Sequence, residues 1–581
     1  MIDIEWLIGG EAGYGIMTTG AMMAKIFTRL GLSVFDYVEY PSLIRGGHNA
    51  YYVRASDEEI YTQKRPVDIL VALNRETIDK HKSELSKNAA VLFDPAVTKV
   101  DPNEFPQEIL QVPVPFLDIT KQVNADRLMV NTVSVGSSLA LFHPDYKILE
   151  GILQDAFGKK GEKVIGDNIN TSKGGFDYVI KNFPNKFGVT VDQKPQERIL
   201  IGGAEAVAYG AIRAGVKFAA IYPMTPMNTV MTTLTAHALK YNIITKEPED
   251  EIAGINMAIG AGFAGVRSMV GTSGGGFSLM VEALGLAAQT ETPIVIFEGM
   301  RPGPATGMPT WTDQGDLRFV LHAAQGDFPR IVLAPGDIPE IFSMTMQAFN
   351  LAEKYQMPII VLVDKYLMEG HAAIVEQTIK KISDEYKIER GKVLTDQETA
   401  AQTDYKRYEL VPDGISPRSL PGQQGGIALS GSDEHNEMGL YDEAADMRNK
   451  MMEKRFKKLK IATPEIHPLD MYGPEEAPLT IVGFGSTKIV VQEAMRWLEK
   501  DGIKINLLKV HSMSPFPGEL VASIIRNAEE TLVIEANYTG QFEGLIKEYT
   551  GLTLNHRFRK YDGRPFYPEE IVEKVKEVLK K

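Results

Sequence analysis

The feature that most constrains this chain is a recurring short, nearly all-apolar run that leads into a turn. Pro293–Phe297, Arg330–Leu333 and Pro358–Val363 are such runs. Strands without polar–apolar alternation suit a parallel sheet covered by helices on both faces. Strand patterns at Ile4–Ile8, Ser33–Val38, Ala50–Ala55, Ile69–Leu73 and Ala90–Phe93 are interleaved with helix-like stretches, and the style returns at Leu479–Val482, Ile503–Leu508 and Thr531–Glu535. Such alternation predicts the α/β class. Over 581 residues, at ~150 residues per domain, it predicts three open, mostly parallel α/β domains. The polar stretch Asp192–Arg198 separates 1–190 from 191–375, and the last domain is 478–581. Between them, 376–477 carries dense, varied side chains, which predicts an ordered excursion rather than a flexible linker.

The 62 Lys and Arg against 76 Asp and Glu give a net charge of −14, which argues against a nucleic-acid binder. There is no cysteine, which excludes disulfides, thiolate nucleophiles and any cysteine-ligated zinc or iron–sulfur site on this chain. The first residues lack a basic-then-apolar leader. The longest apolar stretch, Ile252–Val266, is interrupted by Asn256 and too short to span a bilayer. A cytoplasmic protein without membrane attachment is expected. The ten histidines show no helical ligand spacing, so no metal site is expected on this chain.

Several turns carry residues fit for chemistry. Gly9–Gly15 follows a strand and opens a helix, where a phosphate loop would sit. Its spacing matches neither dinucleotide nor Walker motifs and Glu11 would repel phosphate, so a tight structural turn is the better reading. Arg45 and His48 stand on the glycine-rich turn Pro41–Asn49, either to bind an anion or as incidental exposed charge. Thr225, in Tyr222–Pro226, lies where a carboxylate could meet a helix start, although Thr-Pro is also a plain helix signal. Glu251 heads the apolar helix Asp250–Ala264. Burial there favours a neutral, proton-sharing carboxyl, whereas an exposed one would only complement the helix dipole. Gly274, Gly275 and Gly276 follow the strand Ser268–Val270 and would admit a bound group close to the backbone. Arg301 follows Pro293–Phe297. Thr225, the three glycines and Arg301 all fall at strand carboxyl ends, where ligands collect in open α/β sheets, which predicts one shared cleft.

Together these motifs resemble the 2-oxoacid:ferredoxin oxidoreductases. Tyr222–Pro226 is similar to the family's Tyr-Pro-Ile-Thr-Pro, Thr272–Met280 to its Thr-Ser-Gly-Pro-Gly-Phe-Ser-Leu-Met, and Arg301–Thr310 to its Arg-x-Gly-Pro-Ser-Thr-Gly-Leu-Pro-Thr loop. Asp413–Arg418 and Glu434–Gly439 match as well, and Arg45–Asn49 resembles the gamma domain, so the likeness spans nearly the whole chain as a fused gamma-plus-alpha subunit.

The resemblance implies a gamma-type domain, a pyrimidine-binding domain for thiamine diphosphate and a transketolase C-terminal-like domain. It implies oxidative decarboxylation of a 2-oxoacid, 2-oxoglutarate favoured, to an acyl-coenzyme A with reduction of ferredoxin. By motif position, Glu251 matches the glutamate that hydrogen-bonds the cofactor's aminopyrimidine. Arg301 and Thr225 would hold the substrate carboxylate, Gly274, Gly275 and Gly276 would admit the cofactor, and Arg45 and His48 would contact a partner or coenzyme A. The usual diphosphate–magnesium motif, Gly-Asp-Gly with a downstream Asn, is absent. With the missing cysteine, this assigns diphosphate, Mg2+ and a [4Fe-4S] cluster to a beta partner, in an alpha–beta dimer or an (alpha–beta)2 heterotetramer. Met227-Asn228 and Gly275 depart from the family pattern near the pocket, which keeps pyruvate, branched and aryl 2-oxoacids as alternative substrates. A noncatalytic assembly or regulatory subunit is the rival reading.

Overall fold

The computed structural model describes residues 2–43, 46–143, 145–195 and 197–580. They form three sheets of eight, seven and five strands, interleaved with helices, as the α/β pattern predicts. The chain divides into two compact units: Met1–Ile201 with Glu369–Thr378 and Tyr567–Glu570, and Gly202–Met368 with Ile379–Phe566 and Ile571–Lys581.

The first unit holds the eight-stranded sheet. Asp3–Ala12, Val67–Ala72, Leu85–Phe93 and Leu110–Pro113 run parallel to one another, whereas Gly46–Ser56 pairs antiparallel with both Asp3–Ala12 and Ser33–Glu39. The first strand is longer than its apolar pattern suggests. Gly9 to Ala12 extend it instead of opening the turn, because Gly46–Ala50 run alongside as ladder partners. What remains is a tight turn ending at Gly15, followed by the helix Ile16–Arg29. Two strands that chain order groups with the next unit, Arg198–Gly202 and His371–Val375, lie at the edge of this sheet. His371 pairs with Asp36, whose Oδ1 accepts from both the backbone and the ring of His371 at 2.8 and 2.9 Å. Which sheet His371–Val375 joins rests on this distant contact.

In the second unit, β1 (Phe218–Ala220), β2 (Ile244–Lys246), β3 (Ser268–Thr272), β4 (Ile294–Met300), β5 (Ile331–Leu333), β6 (Pro358–Asp364) and β7 (Ser512–Ser514) form a sheet in the order β7-β5-β6-β4-β3-β1-β2. The neighbouring pairs are parallel except β5–β7. β3 to β6 are buried along their whole length, the condition their unbroken apolar runs anticipate. Helices α1 (Glu251–Phe263) and α2 (Gly274–Gln289) flank β3 in the chain. A five-stranded sheet follows, with Leu469–Tyr472, Asn506–Val510, Thr480–Gly483, Thr531–Glu535 and His556–Arg559 in that spatial order. Its apolar residues Val482 and Leu508 join Val332 and Ile360 in one core.

Between these two sheets the chain makes irregular turns and one long helix, α3 (Ala445–Ala462). Charge anchors it. Lys454 and Lys458, one turn apart, reach the two oxygens of buried Glu291 at 2.5 and 2.7 Å. Arg418 reaches buried Glu353 at 3.0 Å, and the same carboxylate holds Arg267 at 2.8 Å and Arg390 at 2.9 Å. Burial raises the Glu291 carboxyl, but Lys454, Lys458 and Arg407 outweigh it and hold it below the usual range. Among the described residues no helix is long and apolar enough to cross a membrane.

Candidate active site

Strands β4, β3 and β1 are neighbours, so the loops leaving their carboxyl ends lie side by side. Those loops carry Arg301, the three glycines and Thr225. Helix α1 starts where Asp250 caps it, its Oδ1 accepting from the Ala253 amide at 2.8 Å. The cap places Glu251 at the first helical position, with only 4% of the residue exposed. Thr272 Oγ1 donates to Glu251 Oε1 over a long 3.5 Å. A Cβ on Gly276 would lie 2.2 Å from that oxygen and 2.1 Å from Thr272 Oγ1. Only a residue without a side chain lets the carboxyl sit there. A Cβ on Gly274 would come within 2.6 Å of Asp316 Oδ2, whereas one on Gly275 would meet nothing closer than 3.9 Å. Two of the three glycines thus seat carboxyl groups, and the middle one has only the Ala305 backbone oxygen at ordinary contact distance.

Arg301 Nη1 donates to the backbone oxygen of Thr225 at 3.1 Å, which ties two of the sequence-predicted residues together. The helix beyond Thr225 begins at Asn228, two residues later than Pro226 suggests. The chain first closes a turn, Met227 N donating to Met224 O at 2.7 Å.

Sequence reasoning passed over a group of carboxyls beneath this site. Glu298 and Asp316 are the central pair. Glu298 lies inside β4, is fully buried, and neither oxygen has a hydrogen-bond partner among the described residues. What it faces is the Asp316 carboxyl. Burial, then repulsion and contact with Asp316, push Glu298 well above the usual carboxylate range, and burial also raises Asp316. A proton between the two supplies the missing donor. Asp313 is pushed up to about 7, chiefly by burial and then by Asp316. Asp364, also raised by burial, accepts from Gln314 Nε2 at 3.3 Å. An acidic residue in the otherwise apolar Ile294–Met300 was the available signal.

Other predicted residues lie elsewhere. Arg45 is outside the described residues. His48 belongs to the strand Gly46–Ser56 rather than a turn, since Glu11 pairs with it across the ladder. Its Nε2 lies 2.8 Å from that of His81, and burial, then His81, push its imidazole down to about 4. One group of metal-type ligands, His467, Asp470 and His511, comes within 4.8 Å among the described residues. No spacing between histidines announces it: His467 and Asp470 stand three residues apart, but His511 comes from a separate segment. Its hydrogen bonds are already made: Asp470 accepts from His467 at 2.6 Å and from His511 Nε2 at 2.8 Å, and His511 Nδ1 accepts from Lys509 at 2.6 Å.

Fold and site together define an α/β protein with a buried carboxyl and an arginine brought together at the carboxyl ends of neighbouring parallel strands. Family models match nearly end to end: pyruvate ferredoxin/flavodoxin oxidoreductase over residues 5–178, pyruvate flavodoxin/ferredoxin oxidoreductase, thiamine diphosphate-binding, over 209–454, and pyruvate:ferredoxin oxidoreductase core domain II over 477–571. A 2-oxoacid:ferredoxin oxidoreductase subunit alpha from Sulfolobus sp is 34% identical over 99% of this chain and 97% of its own. The 2-oxoglutarate synthase subunit KorA of Methanothermobacter thermautotrophicus is 31% identical over 65% of this chain and 98% of its own. The solved 2-oxoglutarate:ferredoxin oxidoreductase from Magnetococcus marinus, with 2-oxoglutarate, coenzyme A and succinyl-CoA bound, matches with a TM-score of 0.91 at 33% identity, over 99% of both chains. The chain belongs to the 2-oxoacid:ferredoxin oxidoreductases, as an alpha subunit.

Proposed function

We propose that this chain is a fused gamma–alpha subunit which, with a beta partner, converts a 2-oxoacid and coenzyme A to acyl-CoA and carbon dioxide, passing two electrons to ferredoxin. In this reading 1–190 is the gamma-type domain, 191–375 binds the pyrimidine, 376–477 is the ordered excursion and 478–581 is transketolase C-terminal-like. The observation that carries it is the Glu251 carboxyl seated against Gly276 and Thr272, at the same sheet edge as the Arg301–Thr225 contact. The bound 2-oxoglutarate and succinyl-CoA of the Magnetococcus marinus enzyme support 2-oxoglutarate as the substrate.

The buried carboxyl beside a cradle that a Cβ would fill fits the flat aminopyrimidine of thiamine diphosphate. When bound, that cofactor supplies a nucleophilic carbon for the 2-oxo group and a sink for the electron pair left by decarboxylation. Glu251 would hold the pyrimidine ring by a hydrogen bond from its carboxyl, the contact through which acid–base chemistry would run. Arg301 binds the substrate carboxylate with its planar fork, and the Thr225 hydroxyl donates beside it. The proton shared by Glu298 and Asp316 keeps two full negative charges from competing with substrate for the Arg301 guanidinium. A beta chain supplies Mg2+, the diphosphate site and the [4Fe-4S] cluster, since no cysteine exists here. Arg45 and His48 then serve as contacts to a partner or coenzyme A.

The test is Glu251→Gln in the purified two-chain complex. Turnover with 2-oxoglutarate is expected to fall at least ~100-fold, the scale of lost acid–base chemistry. Near-normal turnover would remove Glu251 from the reaction, and a panel of 2-oxoacids on the unmodified complex ranks the substrates.

A further inference from the structure

A second cavity, of about 530 Å³, opens where the excursion meets the opposite edge of the central sheet. Phe263, Pro293, Arg407, Arg418, Pro421 and Ile427 are among its walls. Pro293 stands just before the amino end of β4, while Arg301 follows its carboxyl end, so a strand's length of roughly 23 Å separates this cavity from the candidate active site. Its volume lies within the roughly 300–1,000 Å³ of small-molecule sites.

Charge around it is lopsided. Glu291 takes Lys454 and Lys458, and Glu353 takes Arg267, Arg390 and Arg418. Arg407 has no carboxylate of its own among its hydrogen bonds; its Nη2 donates to the Glu291 backbone oxygen at 2.9 Å. Two carboxylates therefore answer six cations in a chain whose net charge is −14. Arg407 Nη1 and Arg418 Nε are buried and lack an acceptor, although Arg407 is only 5% exposed and Arg418 only 3%. Both atoms are shielded from the cavity's solvent, so the two arginines act on a ligand there through their positive charge and not by a hydrogen bond from these atoms. Burial, with repulsion from Arg407 and Arg390, pushes Arg418 down to about 10 despite Glu353. Besides these arginines, the lining includes the apolar Phe263, Pro293, Pro421 and Ile427.

We propose that this cavity is a second ligand site, for an organic oxyanion: a carboxylate or phosphate group borne on an apolar body. The oxyanion sits in the field of Arg407 and Arg418, and the body packs on Phe263, the prolines and Ile427. The 421–428 loop supplies much of the lining.

Isothermal titration of the full-length chain with phenyl phosphate and with benzoate tests this, the tighter probe identifying the head group. Saturable one-to-one binding is expected, weakened at least ~10-fold by Arg407→Gln, in keeping with loss of one cation's field. Because Arg407 also braces Glu291, Ile427→Glu is the second variant. Ile427 is 87% exposed, so this variant keeps the parental thermal midpoint and places a repelling carboxylate at the mouth. A loss of affinity in Ile427→Glu supports the site. Absence of saturable binding by either probe, or unchanged affinity in Ile427→Glu, overturns it.

Discussion

At residue 276 the choice of side chain and the placing of Glu251 are one question, since a Cβ there would share space with Oε1 at 2.2 Å. Gly276→Ala is therefore expected to displace the carboxyl and cut turnover by one to two orders of magnitude, of the same kind as a misplaced catalytic group. Gly275→Ala, whose Cβ meets only the Ala305 backbone oxygen at an ordinary 3.9 Å, should leave the thermal midpoint unchanged; the pair compared in one assay separates the seat of Glu251 from general helix strain. Arg301→Ala is expected to raise KM for the 2-oxoacid far more than it lowers kcat, because the guanidinium binds the carboxylate in ground and transition state alike. Steady-state kinetics checks that split. Thr225, Glu251 and Arg301 were readable as candidates because each stands where a strand or helix begins or ends. Glu298 was not, because its meaning depends on Asp316, 18 positions further along the chain.

Elements show how charge orders what apolar patterning leaves open. Helix α3 is held by a two-lysine grip on Glu291, and removing that carboxylate strands two buried ammonium groups. Glu291→Gln should cost about 3–5 kcal/mol, read as a lower thermal midpoint and faster amide exchange over 445–462. The loop beneath the active site carries the opposite problem. Burial and then Asp316 push the Asp313 carboxyl up to about 7 in the folded chain, against 3.8 for an ordinary Asp. The native state binds that proton more tightly, so its cost is absent below the lower value and complete above the higher. Asp313→Asn is thus expected to raise the thermal midpoint above pH 7, with the gain shrinking to nothing as pH falls toward 4.

Over the whole molecule, the sheets of the second unit are stitched by Gln314. Its amide donates to Phe484 O at 3.1 Å and its oxygen accepts from Ala536 N at 3.0 Å, while Asn537 reaches its backbone oxygen at 3.2 Å. Gln314→Ala should lower the thermal midpoint while leaving each sheet's core intact, and limited proteolysis at 301–316 reports the loosening. The chain's lack of cysteine was legible at once, as were the α/β class and the three loops that follow neighbouring strands, because apolar runs, helix starts and glycine clusters are local properties. Strand partners were not: Arg198–Gly202 and His371–Val375 leave their sequence neighbours for the first sheet, and β7 leaves the last sheet for the middle one. The same holds for the carboxyl pair under Arg301 and for the cations around the second cavity. Composition and periodicity set which residues are apolar, charged or able to turn. Which carboxyl meets which cation is settled only when segments hundreds of residues apart are packed together, since burial and Coulomb energy are properties of contact and not of order along the chain.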